Sequence, residues 1–250
     1  MPQPIELYFW PTPNGQKISV ALEEMGLPYV LKPVNIGQGE QFEPSFLKIS
    51  PNNRMPAIID PDGPGQAPVS VFESGAILQY LGRKSGKFYP NDERARIVVD
   101  EWLMWQMGGL GPMLGQASHF INYAPQLVDD PAKVAYGLDR YTKEADRLFG
   151  VLDRRLNGRD FIADEVSIAD FASFPWVSGV RKFGLNPETF PNVKAWLDRM
   201  EARPGVARGM EVGADLRKPL PEKGTPEAER LAKAMFGQTA QSTEPKSKDG

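Results

Sequence analysis

The chain has 250 residues, 41% hydrophobic and 24% charged, an ordinary globular profile with length for one large or two modest domains. Its 29 Lys and Arg against 32 Asp and Glu give a net charge of −3, which excludes the basic footprint of a general nucleic-acid binder. It has no cysteine and one histidine, His119, so disulfides, thiolate or histidine-rich metal sites and a thiol nucleophile of its own are excluded.

Residues 5–10 form an apolar run that reads as a buried strand, followed by the loop Trp10-Pro11-Thr12-Pro13-Asn14-Gly15-Gln16. A helix is predicted over 17–26, where apolar residues recur at helical spacing and Gly26 stops the pattern. Tyr29–Pro33 reads as a strand that Pro33 closes or places at a sheet edge. Residues 43–49 read as an irregular turn of helix. Strands at 56–60 and Val69–Phe72 flank a Pro- and Gly-rich turn and form a hairpin. A second helix runs from Ser74 through Leu81 and ends near Gly82 or Gly86. The order β-α-β, then β-β-α, predicts an α+β domain with a mixed sheet over residues 1–87.

The segment 87–92 is the natural connection, giving a linker at 88–93. Beyond it strand signals vanish, and residues 94–210 read as all-helical. Helices are predicted over 94–114, with Val98, Trp102, Trp105 and Met113 apolar, and over 133–156, with a stripe of Tyr141, Ala145, Leu148 and Leu152. Shorter helices follow at 167–178 and 192–202. After Arg203-Pro204-Gly205 the composition shifts to Lys, Glu, Pro and Gly. The extension 211–250 keeps one helix candidate, Pro226–Phe236 with Thr225 as N-cap, and a polar end at 239–250 expected to be disordered. No apolar run approaches the roughly 20 residues that cross a bilayer. The start, Met1 to Glu6, lacks the regions of a signal peptide, so a cytoplasmic enzyme without a membrane partner is expected.

Chemistry concentrates in three places. The first loop puts Thr12 and Asn14 at a helix start, where backbone N–H groups and the helix dipole favour anions. A thiol enzyme would place its cysteine there; here any thiol chemistry must use a sulfur brought by a ligand. In Asn53-Arg54-Met55-Pro56-Ala57, Pro56 reads either as a trans, strand-capping residue or as a cis residue that turns the Met55 backbone outward to pair with a peptide ligand. Glu73-Ser74 reads either as a helix capped by Ser74 or as a zwitterion site, with an ammonium on Glu73 and a carboxylate on Ser74 and the helix start.

Other signals read as structural. Ser167 and Asp170 are spaced as a capping box, with Val166 and Phe171 as its hydrophobic staple. His119 reads as a hydrogen-bonded structural residue near a helix end, and Tyr8 as packed within its strand. Gly109-Leu110-Gly111 and Gly115 lie among helices and follow no strand, so they indicate close packing or room for a second substrate, not a dinucleotide loop.

Together, Pro11-Thr12-Pro13-Asn14-Gly15, Ser50-Pro51-Asn52-Asn53, Phe72-Glu73-Ser74-Gly75 and the stretch from Trp105 to Gln116 resemble the glutathione transferase superfamily. They are most similar to its nu class, which includes bacterial disulfide-bond oxidoreductases. The resemblance spans about residues 5–210 and implies a thioredoxin-like domain joined to an all-α domain. It implies glutathione as cosubstrate, without a metal. Thr12 and Asn14 would lie near the glutathione sulfur, Met55 on the cysteinyl backbone, and Glu73 and Ser74 on the γ-glutamyl end. Gln41 and Arg54 would reach the glycyl carboxylate, and Arg140 would come from the partner of a homodimer. The implied reaction is reduction of a small disulfide through glutathione thiols. The alternatives are conjugation or thioether cleavage on an aromatic electrophile, or a glutathione-binding regulatory module without turnover. The tail helix would either dock outside the helical domain or fold back toward the cleft and narrow it for the second substrate.

Overall fold

A computed structural model describes residues 3–217, 219 and 221–240. Strands β1 (Ile5–Phe9), β2 (Tyr29–Pro33), β3 (Ala57–Asp60) and β4 (Val69–Phe72) form one mixed sheet in the order β2-β1-β3-β4. β1 runs parallel to β2 and antiparallel to β3, so β2 is the edge that its proline anticipates. Along β1 the inward residues Ile5, Leu7 and Phe9 are buried, and Tyr8 lies on the other face against Phe46.

Helix α1 (Pro13–Met25) starts four residues earlier than predicted. Thr12 is its N-cap, its hydroxyl accepting from the Gly15 N–H at 3.3 Å, and Pro13 fills the first helical position. Asn14 therefore stands on the first helical turn, not in a loop. A side chain at Gly15 would fall 2.2 Å from the Trp10 carbonyl, so the turn needs glycine there. A 3₁₀ turn (Glu40–Phe42) and α2 (Pro44–Leu47) follow β2, and α3 (Ser74–Ser85) ends at the left-handed Gly86. The cap of α3 corrects the sequence reading: it is Glu73, at φ 69°, and Ser74 is already helical and buried.

The predicted 94–114 helix is the front of a longer run. α4 (Glu93–Trp105), α5 (Gly111–Ser118) and α6 (Ala124–Leu127) join without a break through wide π turns at Gln106–Leu110 and His119–Tyr123. The first wide turn precedes Pro112, whose missing N–H would interrupt an ordinary helix. α7 (Ala132–Leu156) buries Ala145, Leu148 and Leu152 as predicted, with Tyr141 partly buried beside them.

α8 (Ile168–Val177) carries both hydrogen bonds of the Ser167–Asp170 capping box. Asp170 is fully buried and also accepts from Ile162 N and Trp196 Nε1. α9 (Pro191–Glu201) leads to α10 (Pro204–Glu211), which the sequence reading lacks. Gly205 and Gly209 look like helix breakers, yet a Cβ on Gly209 would meet the Val20 Cα at 2.5 Å. Glycine thus lets α10 lie on α1, where Ser19 Oγ donates to the Gly209 carbonyl at 2.7 Å.

The tail helix α11 spans Pro226–Phe236 with Thr225 as its cap, as predicted. Of the end expected to be disordered, Thr239 and Ala240 each have an interaction partner, and 241–250 lie outside the described residues. Among the described residues no helix is long and apolar enough to cross a membrane.

Candidate functional site

The β1–α1 corner presents hydrogen-bond donors to a sulfur. The Trp10 N–H reaches Met55 Sδ at 3.1 Å, and the Thr12 hydroxyl reaches the same sulfur at 3.8 Å. The Met55–Pro56 bond is cis, not trans. Beside Thr12, the Asn14 Oδ1 accepts from the indole N–H of Trp176 on α8 at 3.1 Å. An indole only donates, so this contact fixes the amide's acceptor end and leaves its NH₂ free to donate. Nothing in the local sequence marks Trp176, because it arrives from 162 residues away.

A cavity of about 570 Å³ opens over this corner, lined by Thr12, Asn14, Gln41, Arg54, Met55 and Trp176 among others. A second cavity, about 230 Å³, adjoins it through Asn14, Arg54 and Met55 and reaches Glu73 and Ser74. The structure thus brings Thr12, Asn14, Gln41, Arg54, Met55, Glu73 and Ser74 to one connected space. Glu73 is exposed at the strand-to-helix corner and accepts from Asn52 Nδ2 at 3.1 Å. Arg140 lies elsewhere, half-exposed on α7 and 3.6 Å from Glu144. Tyr8 is packed as expected: its hydroxyl donates to Glu6, and burial, with that carboxylate, raises it to about 12.

Lys17 escaped the sequence reading. It is 1% exposed, and its ammonium lies 2.6 Å from Gln106 Oε1, 3.3 Å from Ser74 Oγ and 3.3 Å from Met107 Sδ. Burial lowers it to about 7, opposed by the charge of Glu73. A lysine inside an amphipathic pattern gives no sign of burial until α3 and the first wide turn close over it.

The tail helix does not dock on the outside of the helical region. Gln41 Nε2 donates to the Ala234 carbonyl at 3.5 Å, and Arg54 Nη1 donates to Gln238 Oε1 at 2.9 Å. Met235 and Gln238 line the 570 Å³ cavity over the β1–α1 corner. Across the opening Phe236 packs on His119 and Tyr123 at ring separations of 4.7 and 5.0 Å. His119 stands at the end of α5, as expected, where it opens the wide turn and serves as an aromatic platform, and burial lowers its pKa. A third space, about 580 Å³, lies under the tail between Trp10, Pro11 and Met210 on one side and Leu216, Arg230 and Leu231 on the other.

The glutathione S-transferase N-terminal domain model matches residues 3–83, and the glutathione S-transferase C-terminal domain model matches 120–204. The chain belongs to the glutathione S-transferase family. As a transferase-like enzyme of that family, it is similar to the disulfide-bond oxidoreductase YfcG of Escherichia coli K12. The two are 46% identical over 208 residues, 82% of this chain and 94% of the relative. A glutathione transferase from Pseudomonas putida, solved with one glutathione disulfide per subunit, superposes with a TM-score of 0.78 at 44% identity, covering 84% of this chain and 92% of that one. A Burkholderia graminis transferase with two glutathione molecules per subunit also scores 0.78 at 44% identity, over 84% of this chain and 88% of its own.

Proposed function

We propose that the chain is a nu-class, cytoplasmic enzyme that uses glutathione thiols to reduce a small disulfide. The observation that carries this reading is the Trp10 N–H and Thr12 O–H on the Met55 sulfur, beside an Asn14 amide whose donor end is free. A thiolate is a stronger acceptor than a thioether. When glutathione binds, the Thr12 hydroxyl turns to its sulfur, and with the Asn14 NH₂ favours the thiolate. That thiolate attacks the disulfide, one sulfur leaves as a thiolate, and a mixed disulfide remains. A second glutathione thiolate then attacks the mixed disulfide, so two glutathiones become glutathione disulfide and the substrate becomes two thiols. One cleft holding both reactants replaces an encounter in solution. The relatives solved with two glutathiones or one glutathione disulfide per subunit support a site of this capacity.

In this reading residues 1–87 bind glutathione, 88–93 link, 94–210 form the helical domain and 211–250 the extension. Glu73 takes the ligand ammonium, Ser74 and the α3 start its γ-glutamyl carboxylate, and the Met55 backbone its cysteinyl unit. Gln41 and Arg54 take the glycyl carboxylate, and Arg140 serves the site of a homodimer partner. Conjugation or thioether cleavage would use the same glutathione site with a different second pocket. Isothermal titration with glutathione, followed by an assay of 2-hydroxyethyl disulfide reduction, is the test. Binding with reduction is expected; binding without it leaves conjugation or a regulatory module, and no binding ends the reading.

A further inference from the structure

We propose that Lys17 is a positioning residue for the anion-binding end of the site, its buried ammonium turning the Ser74 hydroxyl outward toward a ligand carboxylate. The inference rests on the glutathione reading for the identity of that carboxylate.

Lys17 reaches inward from the second turn of α1, and Ser74 and Met107, two of its three partners, line the 230 Å³ cavity. The ammonium thus stands directly behind the cavity wall. An ammonium donates and never accepts. Ser74 Oγ therefore accepts from Lys17 and keeps its own proton to donate. Without a ligand that proton points at Met107 Sδ, 3.5 Å away, a weak acceptor. A carboxylate entering the cavity is a much stronger one and would draw the hydroxyl to itself.

Charge points the same way. A buried ammonium without a paired carboxylate is costly, and none of the three groups touching Lys17 carries negative charge. Of the elements packed on α1, α3 presents Glu73 at its start, exposed and bound to Asn52; the wide turn presents Gln106 and Met107, both uncharged. On α8, Asp170 is consumed by its capping box. Arg203 and Arg208, at α10, are held by Glu24 and Glu23 toward the other end of α1. The compensation Lys17 lacks is what a ligand carboxylate at Ser74 supplies.

Because burial brings Lys17 to about 7, part of it is neutral at physiological pH. An anion beside it favours the charged form, so binding takes up a proton, and affinity falls as pH rises above 7. An ammonium that served only to pin α1, α3 and the wide turn together would show no such linkage.

The test is calorimetric titration of the full chain with S-methylglutathione, which has no thiol to titrate, at about pH 7.5 in buffers of different ionisation heat. A fraction of a proton taken up per ligand is expected. In Lys17→Met, checked as folded by circular dichroism, uptake should vanish and affinity fall about tenfold or more. Binding without uptake, or uptake unchanged in Lys17→Met, overturns the proposal while leaving the glutathione reading intact. No binding by the unaltered chain overturns both. Should Lys17→Met not fold, an S-methyl ligand with 4-aminobutyryl in place of γ-glutamyl keeps the amine and lacks the carboxylate. It should bind without uptake; uptake equal to that of S-methylglutathione overturns the proposal.

Discussion

Asn14 and Glu73 line one connected space, but the proposed chemistry asks different things of them. Asn14 offers its NH₂ to the sulfur, so Asn14→Ala should lower turnover while changing glutathione affinity little. In the proposed function Glu73 would hold the ligand ammonium from its exposed position, so Glu73→Ala should weaken binding by about 1.5 kcal/mol, the low end for a hydrogen bond to a charge. Equal loss of turnover with unchanged affinity in both variants would contradict this division. Trp176→Phe removes the N–H that orients the Asn14 amide and should reproduce part of the Asn14→Ala defect in turnover, with the melting temperature as control. Lys17 also links the fold to pH. Its proton is bound less tightly in the folded chain than in the unfolded one, whose lysine titrates near 10.5. Between about pH 7 and 10 the unfolded state therefore holds more protons, and stability should rise with pH. Lys17→Met should flatten that rise in chemical denaturation at several pH values; an unchanged slope would assign it to other groups.

At the scale of elements, two helix ends carry consequences. Asp170 accepts from Ile162 N, Ser167 N, Ser167 Oγ and Trp196 Nε1 at the start of α8, and Asp170→Ala would strand these buried donors. Each costs about 1–3 kcal/mol when left unpaired, so the substitution should remove several kcal/mol of stability, read as a large drop in denaturation midpoint. A drop within the scatter of surface substitutions would show that water replaces the carboxylate. α11 is an 11-residue helix that would be marginal alone; it persists because its apolar side meets the cavity while Phe236 meets His119 and Tyr123. Truncation after Gly213 should leave glutathione binding largely intact, free Arg54 from Gln238, and change the relative rates for large and small electrophiles. Unchanged selectivity with a lower melting temperature would make the tail a structural clasp.

For the whole molecule, the proposed use of Arg140 depends on a second copy, since in its own chain that side chain pairs with Glu144 away from the cavities. Light scattering at micromolar concentration should give twice 27.8 kDa. A monomer at that concentration would remove Arg140 from the site.

Much of this protein was legible in its residues, because local rules dominate there. The apolar run of β1, the proline at the edge of β2, the glycine after α3 and the Thr225 cap each act within a few residues of where they are read. Thr12, Asn14, Glu73 and Ser74, named from motif order and family resemblance, do line one connected space. What only the tertiary structure decided depends on segments distant in the chain. Pro13 and Gly15 read as loop until capping and the Trp10 carbonyl explain them, and α10 goes unread until Gly205 and Gly209 let it lie against α1. The indole that orients Asn14, the burial of Lys17 and the contact of Gln238 with Arg54 span 162, 89 and 184 positions. No periodicity encodes such pairs; they exist only once packing has removed water from between the elements that carry them.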